Sequence, residues 1–102
     1  MNIKDLENLK DGQQVIELTG WVDNIRDHGG LTFVDLRDFT GLIQLVFDKS
    51  GDVDTKLKNE FYISINGTFK KRDEALINDK ILFGDYEIEV TELIIINQSK
   101  TL

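Results

Sequence analysis

The sequence contains no cysteine and a single histidine, His28. The absence of cysteine excludes disulfide bonds and cysteine-ligated metal, and it suits a reducing compartment, so we expect a cytoplasmic protein. His28 has no second histidine with which to build a metal site, so it is expected to be a solvated loop residue, and no metal or other cofactor is expected in this chain. No apolar run approaches the ~20 residues of a transmembrane helix, and the polar start of the chain lacks the apolar core of a secretory signal.

Catalytic motifs are equally scarce. Carboxylates are numerous, but their spacing singles out no acid–base pair, and the sequence has neither a nucleophile elbow nor a glycine-rich phosphate loop. The pair Gly29-Gly30 is too short for such a loop and is more typical of a turn. We therefore predict a binding domain without a catalytic centre of its own.

Basic residues are in the minority, 12 against 19 acidic ones, and the net charge of −7 argues against a general binder of polyanions. The acids gather in residues 1–17, 48–60 and 85–92, whereas residues 70–72 form one short basic run, Lys-Lys-Arg. A local and selective contact with nucleic acid therefore stays open. The alternative for the basic run is a solvated strand end.

At 102 residues the chain is expected to form one domain. Residues 1–12 are predicted to be a helical or turn segment, with apolar residues at positions 3, 6 and 9, and residues 13–102 the domain proper. Runs rich in β-branched and aromatic residues predict five strands in this domain. The predicted strands cover residues 14–26, 31–36, 41–48, 61–70 and 86–97.

A helix is predicted between the third and fourth strands. Ser50 or Asp52 can cap its start, and Val53 and Leu57 lie one turn apart on one face. This order of elements is that of the five-stranded Greek-key OB barrel, whose second and third strands and adjoining loops bind oligonucleotides. We therefore predict an all-β OB-fold barrel with one helix between strands three and four and a short N-terminal helix.

Irregularities are predicted at three places in the strands. Gly20 suggests a bend or bulge in the first strand, and Gly67 a bend in the fourth, where unbroken alternation argues against a hairpin turn. In the fifth strand the apolar positions change from even to odd numbers, which predicts a one-residue bulge near Thr91 and Glu92.

The alternation in the second and third strands indicates an outer face. Apolar residues at positions 34, 36, 43, 45 and 47 form the core set, which leaves Phe33 and Gln44 on the outer faces of adjacent strands. An exposed aromatic ring can stack on a base, and an amide can bond to base edges as donor and acceptor. The alternatives are that Phe33 closes one end of the barrel and that Gln44 is an ordinary solvated residue.

Arg26 lies where the first predicted loop begins. Its guanidinium could clamp a phosphate or bond to a base. The alternative is a surface salt bridge with Asp27 or Asp38, and the residue types alone leave both interpretations open.

Ordered motifs along the chain carry a specific resemblance. They read Gly20-Trp21-Val22, Arg26-Asp27-His28-Gly29-Gly30-Leu31, Phe33, Asp35-Leu36-Arg37-Asp38, Gly41 and Gln44, followed by Asn59-Glu60-Phe61, Gly67-Thr68, Arg72, Asn78, Glu87-Ile88-Glu89-Val90 and Ile96-Asn97. In this order they resemble the N-terminal anticodon-binding domain of aspartyl-tRNA synthetases, over residues 13–102. Asparaginyl and lysyl enzymes share the fold, but the Arg-Asp-His-Gly-Gly loop and the Leu-Arg-Asp turn favour the aspartyl branch.

The resemblance implies that the domain reads a GUC-type anticodon of aspartate tRNA. By similarity, Phe33 stacks on an anticodon base and Gln44 reads the middle one. Arg26 contacts the anticodon backbone or its bases.

Three further residues have implied roles by the same resemblance. Arg72 helps to read the third letter, with Asn78 nearby. Glu89 pairs with the first letter, because a carboxylate accepts from the amino and imino donors of guanine. The sequence departs from the family at residues 23–25, where many relatives have basic residues, so attraction to phosphate is expected to be weaker unless residues 70–71 compensate.

The resemblance also implies what lies outside this chain. Aminoacylation with ATP and Mg²⁺ belongs to a separate catalytic domain, whose motifs are absent from these 102 residues. We expect the tRNA-binding part of an aspartate–tRNA ligase, typically a homodimer, and a monomer for the isolated domain. The alternatives are a free-standing OB module that binds single strands generally and a protein-interaction domain whose acidic surface meets a basic partner.

Overall fold

The computed structural model describes residues 1–49, 57–72 and 84–97. They contain a short 3-10 helix, Ile3–Asn8, and five strands. The strands are β1 (Gln14–His28), β2 (Leu31–Asp38), β3 (Gly41–Asp48), β4 (Tyr62–Lys71) and β5 (Tyr86–Asn97). They form a closed barrel in the order β1-β2-β3-β5-β4, with β3 and β5 parallel and the other neighbours antiparallel. The predicted five-stranded barrel is confirmed.

Apolar side chains at alternate strand positions fill the barrel, as the pleat requires. The first turn of the chain adds to this core, because Ile3 and Leu6 are fully buried and the 3-10 helix packs against β3. Asn2 and Asp5 cap that helix reciprocally, each side chain accepting from the other's backbone N–H. The core residues are Ile3, Leu6, Val15, Leu18, Val22, Val34, Leu36, Ile43, Leu45, Phe47, Phe61, Ile63, Ile65, Phe69 and Ile88.

β1 is long enough to pair first with β4 and then with β2. Gly20 lies beside this changeover, and a Cβ atom there would stand 2.7 Å from the carbonyl oxygen of Arg37. Glycine is required because two backbones approach closely, not because the strand bulges. The register irregularities of β1 lie between residues 15 and 18 and between residues 22 and 24.

The predicted bulge in β5 and the continuous course of β4 are both confirmed. Asn66 pairs with Glu92 and Gly67 with Val90, so Thr91 is the extra residue. A Cβ atom on Gly67 would lie 2.8 Å from Cγ2 of Ile88, which explains a glycine in the middle of a strand.

Two predicted loops are shorter in the structure. β1 continues to His28 and β2 to Asp38, so the two hairpins turn through residues 29–30 and 39–40. Charged residues carry little strand signal, and the strand ends are therefore underestimated from composition.

The helix predicted between β3 and β4 is absent from the part of that connection that the structure describes, Lys49 and residues 57–61. Leu57, predicted on the face of this helix, is not helical and packs against the barrel core. Its apolar character is thus explained by core contact rather than by helix periodicity. Residues 50–56, where the prediction places the cap and first turns, lie outside the described residues.

Candidate nucleic-acid interface

The strand register brings most of the predicted site residues into two adjacent rows on the outside of the barrel. Across β1, β2, β3 and β5, the first row is Arg26, Phe33, Val46 and Glu89. The second row is Asn24, Asp35, Gln44 and Glu87. We call these eight residues the candidate face. Four of the six predicted site residues therefore share one surface.

Phe33 and Gln44 point away from the core, as predicted. Their neighbours along the strands, Val34 and Leu45, are fully buried, whereas Phe33 and Gln44 are half-buried. Phe33 lies outside the core and meets the ring of His28 edge-on, with centroids 6.1 Å apart. The alternative that Phe33 closes an end of the barrel is therefore wrong. A partly exposed ring on this face can accept a base by stacking.

Arg26, Asp35 and Gln44 form a hydrogen-bonded network that we call the Arg26 cluster. Nη1 and Nη2 of Arg26 donate to the two carboxylate oxygens of Asp35 at 2.7 and 3.1 Å. Nη2 also donates to Oε1 of Gln44 at 3.0 Å. The hydrogen bond to Asp35, opposed by burial, raises the pKa of Arg26, so the guanidinium stays charged and Asp35 balances its charge.

The salt bridge considered as the alternative for Arg26 exists, but with another partner. Asp27 accepts from Thr32 and pairs with Lys49 at 3.0 Å, and the hydrogen bond to Lys49 is the main cause that lowers the pKa of Asp27. Asp38, at the end of β2, accepts backbone hydrogen bonds. Neither acid bonds to Arg26.

Asp35 is the site residue that the sequence interpretation missed. It lies nine positions from Arg26, and their contact depends on a two-residue hairpin that the predicted loop made too long. The available signal was parity, since Asp35 shares the outer parity of Phe33 in a strand with apolar inner positions. With Arg26 opposite Phe33, Asp35 is its diagonal neighbour across the strand pair.

Glu89 stands at the far end of the first row, beside a shallow depression. Its carboxylate is 3.8 Å from Nζ of Lys70, and both side chains are about half exposed. The depression has a volume of about 360 Å³. Its lining residues are Leu31, Val46, Asp48, Glu87, Glu89, Val90 and Thr91. A carboxylate at this edge can accept hydrogen bonds from a ligand with paired N–H donors.

Arg72 is placed differently from the other predicted site residues. It is buried at the end of β4, with 9% of its surface exposed. Nη1 donates to the carbonyl oxygen of Gly84 at 3.2 Å, and its backbone N–H to that of Asp85 at 2.8 Å. These two hydrogen bonds of Arg72 connect the end of β4 to the residues just before β5. Asn78, the sixth predicted site residue, lies outside the described residues.

A second arginine cluster occupies another part of the barrel surface. Arg37 donates from Nε to Asp23 at 3.0 Å and from Nη2 to both oxygens of Glu60. Its guanidinium carbon lies 5.8 Å from the centre of the Trp21 ring, which also contacts the rings of Phe39 and Tyr62. We call Arg37, Asp23, Glu60 and Trp21 the Arg37 cluster.

Among the described residues, no group of three or more histidine, aspartate or glutamate side chains is placed to hold a metal ion. Nor does any helix within those ranges have the length and apolar character to cross a membrane.

Comparison with known proteins places the chain among nucleic-acid-binding barrels. The family described as OB-fold nucleic acid binding domain matches residues 16–96. The aspartate–tRNA(Asp/Asn) ligase of Dictyoglomus turgidum is 45% identical over 100 residues, which cover 93% of this chain and 17% of that protein. The aspartate–tRNA ligase of Staphylococcus aureus (strain Newman) is 42% identical over 93 residues, 86% of this chain and 16% of that protein. The chain thus spans about 17% of the length of such relatives.

Solved structures agree on the fold. The aspartyl tRNA synthetase from Entamoeba histolytica has a TM-score of 0.83 over 100% of this chain and 22% of its own, at 21% identity, which shows the fold alone. The asparaginyl-tRNA synthetase from the same organism has a TM-score of 0.77 at 28% identity, over 98% of this chain and 24% of its own.

Proposed function

Since this chain belongs to the family of OB-fold nucleic acid binding domains, we propose that it recognises the anticodon loop of aspartate tRNA on the candidate face. One observation carries the proposal: the register brings Arg26, Phe33, Gln44 and Glu89 together on the outer surface of β1, β2, β3 and β5. OB barrels bind oligonucleotides on this part of the fold. The choice of aspartate tRNA is supported by the aspartate–tRNA ligases that are 42–45% identical to the chain.

The candidate face carries chemically suitable partners for the first two letters of a GUC anticodon. Phe33 stacks on one base, and Gln44, in the neighbouring row, bonds to the edge of the middle uracil. Glu89 accepts from the imino and amino groups of the first letter, guanine. For the third letter we propose Arg72, through its hold on the backbone at Gly84, together with Asn78.

Arg26 contributes less to phosphate attraction than a free arginine would. Asp35 neutralises its charge, and Glu87 and Glu89 add negative charge to the same face. Binding is therefore selective rather than driven by charge, which agrees with the net charge of −7.

We further propose that the domain serves an aspartate–tRNA ligase in the cytoplasm, positioning aspartate tRNA for aminoacylation. ATP and Mg²⁺ then belong to the catalytic domain and not to this chain. The complete ligase is expected to be a homodimer, and the isolated domain a monomer.

The test is a fluorescence titration of the 102-residue chain with an RNA hairpin whose seven-nucleotide loop carries GUC. Hairpins with one anticodon letter changed serve as competitors. We expect each change to weaken binding by about tenfold, since a wrong base costs roughly 1–3 kcal/mol in specific complexes. Phe33→Ala and Gln44→Ala should both weaken binding of the matched hairpin.

Three results would contradict the proposal. Equal affinity for all hairpins would indicate a general single-strand binder. No binding to any RNA would favour a protein-interaction domain instead. If neither substitution weakens matched binding while the fold survives, the candidate face is wrong.

A further inference from the structure

The Arg26 cluster bears on how the middle base is selected. We infer that Asp35 is a positioning residue: acting through Arg26, it fixes the carboxamide of Gln44 with its NH₂ group outward, so that the middle anticodon position favours a base with an outward carbonyl oxygen. The inference rests on the proposed function, because it concerns how the same face discriminates uracil from cytosine.

The orientation of the Gln44 amide follows from the chemistry of its partner. An arginine guanidinium has five N–H donors and no acceptor, so only the oxygen of an amide can face it. Nη2 of Arg26 lies 3.0 Å from Oε1 of Gln44. Because oxygen and nitrogen are separate branches of the planar amide, an oxygen that accepts from Arg26 leaves Nε2 and its donors available to a ligand.

Asp35 supplies the rigidity that this arrangement needs. A lone arginine side chain has many rotamers and would hold the amide only part of the time. The carboxylate of Asp35 binds Nη1 and Nη2 together, at 2.7 and 3.1 Å, and a bidentate pair fixes the plane of the guanidinium. Asp35 is also directly opposite Gln44 in the β2–β3 ladder, so all three side chains stand on one rigid piece of sheet.

A fixed amide discriminates where a free one does not. Uracil presents a carbonyl oxygen at the position where cytosine presents an amino group, as thymine and cytosine do in DNA. An amide held with its donors outward can donate to the carbonyl oxygen of uracil. Against the amino group of cytosine it places one donor opposite another, and no hydrogen bond forms. An amide that is free to flip can serve either base, so loss of Asp35 should cost selectivity more than affinity.

The experiment compares hairpins with GUC and GCC loops against the wild-type chain and Asp35→Asn. Wild type should favour GUC by about tenfold or more, the range of one well-made base contact. Asn has one acceptor oxygen and turns an NH₂ donor towards the guanidinium in place of the second, so the two-oxygen pair is lost. D35N should therefore lose most of this preference, with a ratio of dissociation constants within about threefold of unity. The matched control is Asp23→Asn, the same change in the Arg37 cluster, which should leave the ratio unaltered.

A double-mutant cycle separates positioning from general support. Gln44→Glu keeps an acceptor for Arg26 but presents no donor, so it should favour GCC, whose cytosine can donate to a carboxylate. Adding D35N to Q44E should leave that preference unchanged, because no amide remains to flip. Thermal unfolding verifies that each variant folds, and Arg26→Met, which also releases the amide, replaces D35N if the latter does not fold.

The outcomes are distinct. If D35N weakens both hairpins equally and keeps the wild-type ratio, Asp35 only supports the fold and the inference fails, while the proposed function stands. If wild type itself does not distinguish GUC from mismatched hairpins, the proposed function fails first.

Discussion

The two arginine clusters use the same chemistry at the barrel surface with different results. In the Arg26 cluster one carboxylate balances the guanidinium, and the remaining hydrogen bond goes to a neutral amide. In the Arg37 cluster two carboxylates engage the guanidinium, and the neighbouring aromatic rings pack on one another. On the proposed function, a surface arginine contributes to recognition when its bonds leave another group's donors facing solvent. In the Arg37 cluster the guanidinium bonds to two acids instead, and there we expect it to contribute to structure alone.

The largest expected effect is a loss of RNA affinity. It should follow removal of an aromatic ring from the candidate face, and not removal of a ring beside the Arg37 cluster. Phe33→Ala should weaken binding of the GUC hairpin by about ten- to a hundredfold, because base–aromatic stacking is worth roughly 1–3 kcal/mol. Phe39→Ala removes a ring that is 97% exposed beside Trp21 and should leave affinity unchanged. Fluorescence titration measures both. An equal loss in the two variants would abolish the distinction between the regions.

Asp38, in the turn next to the Arg37 cluster, should affect stability and not binding. Burial opposes its ionisation, but hydrogen bonds from Thr40, Ile3 and Gly41 prevail and lower its pKa below the ordinary 3.8. Because the folded pKa is depressed, its stabilising effect is present above pH 3.8 and is lost as the pH falls through the lower folded value.

Asp38→Asn should therefore lower the free energy of unfolding at pH 7 by about 1 kcal/mol, the typical net contribution of hydrogen bonds at a partly exposed carboxylate. The variant should also lose less stability than wild type on acidification below pH 3.8. Urea unfolding at several pH values measures both quantities, and hairpin affinity at pH 7 is the control. Parallel pH profiles for the two proteins would contradict the role of this carboxylate.

Salt dependence tests whether both arginines are neutralised. Each phosphate contact on a single strand contributes a slope of roughly −0.7 to the log–log plot of affinity against salt. With the charges of Arg26 and Arg37 balanced by carboxylates, we expect a total slope no steeper than about −2. Lys70 is among the contributors, because its 3.8 Å contact with Glu89 is a looser pair than those of the two arginines. Lys70→Met should reduce the slope by about 0.7, and Arg37→Met should not change it. A steep slope in wild type would show that charge, not selectivity, drives binding.

The smallest effect is expected from the Arg37 cluster itself. Arg37→Met should change the free energy of unfolding by about 1 kcal/mol or less, because exposed ion pairs are worth little. Its partners are indeed open to solvent, with 44% of Asp23 and 54% of Glu60 side chains exposed. Urea unfolding measures the change, and a loss of several kcal/mol would mean that this cluster holds the barrel together.

Much of the barrel could be predicted from the sequence, because a strand with one buried face has a period of two. The bounds of β3 and β5, the outward direction of Phe33 and Gln44 and the bulge at Thr91 all follow from alternation. What alternation cannot supply is register across a turn. The partner of Arg26 depends on a hairpin of two residues, and a difference of one residue would have turned Asp35 away from it.

Two other features differ from the sequence interpretation for a different physical reason. A solvated strand end, the alternative for residues 70–72, does not hold at Arg72, whose stem and guanidinium are buried against the backbone at Gly84. Leu57 fits a helical pattern, but a single apolar residue beside a barrel can equally complete the core.

The parallel junction of β3 and β5 has a consequence for motion. In the described residues it comprises three pairs, from Gln44–Glu87 to Val46–Glu89, against ten between β4 and β5. The seam that closes the barrel is therefore short, and it runs through the candidate face. Local opening should begin there, and amide hydrogen exchange at Leu45 and Ile88 should report it. An RNA loop that binds both Gln44 and Glu89 would connect β3 and β5 across this seam. It should therefore slow amide hydrogen exchange on both strands at once.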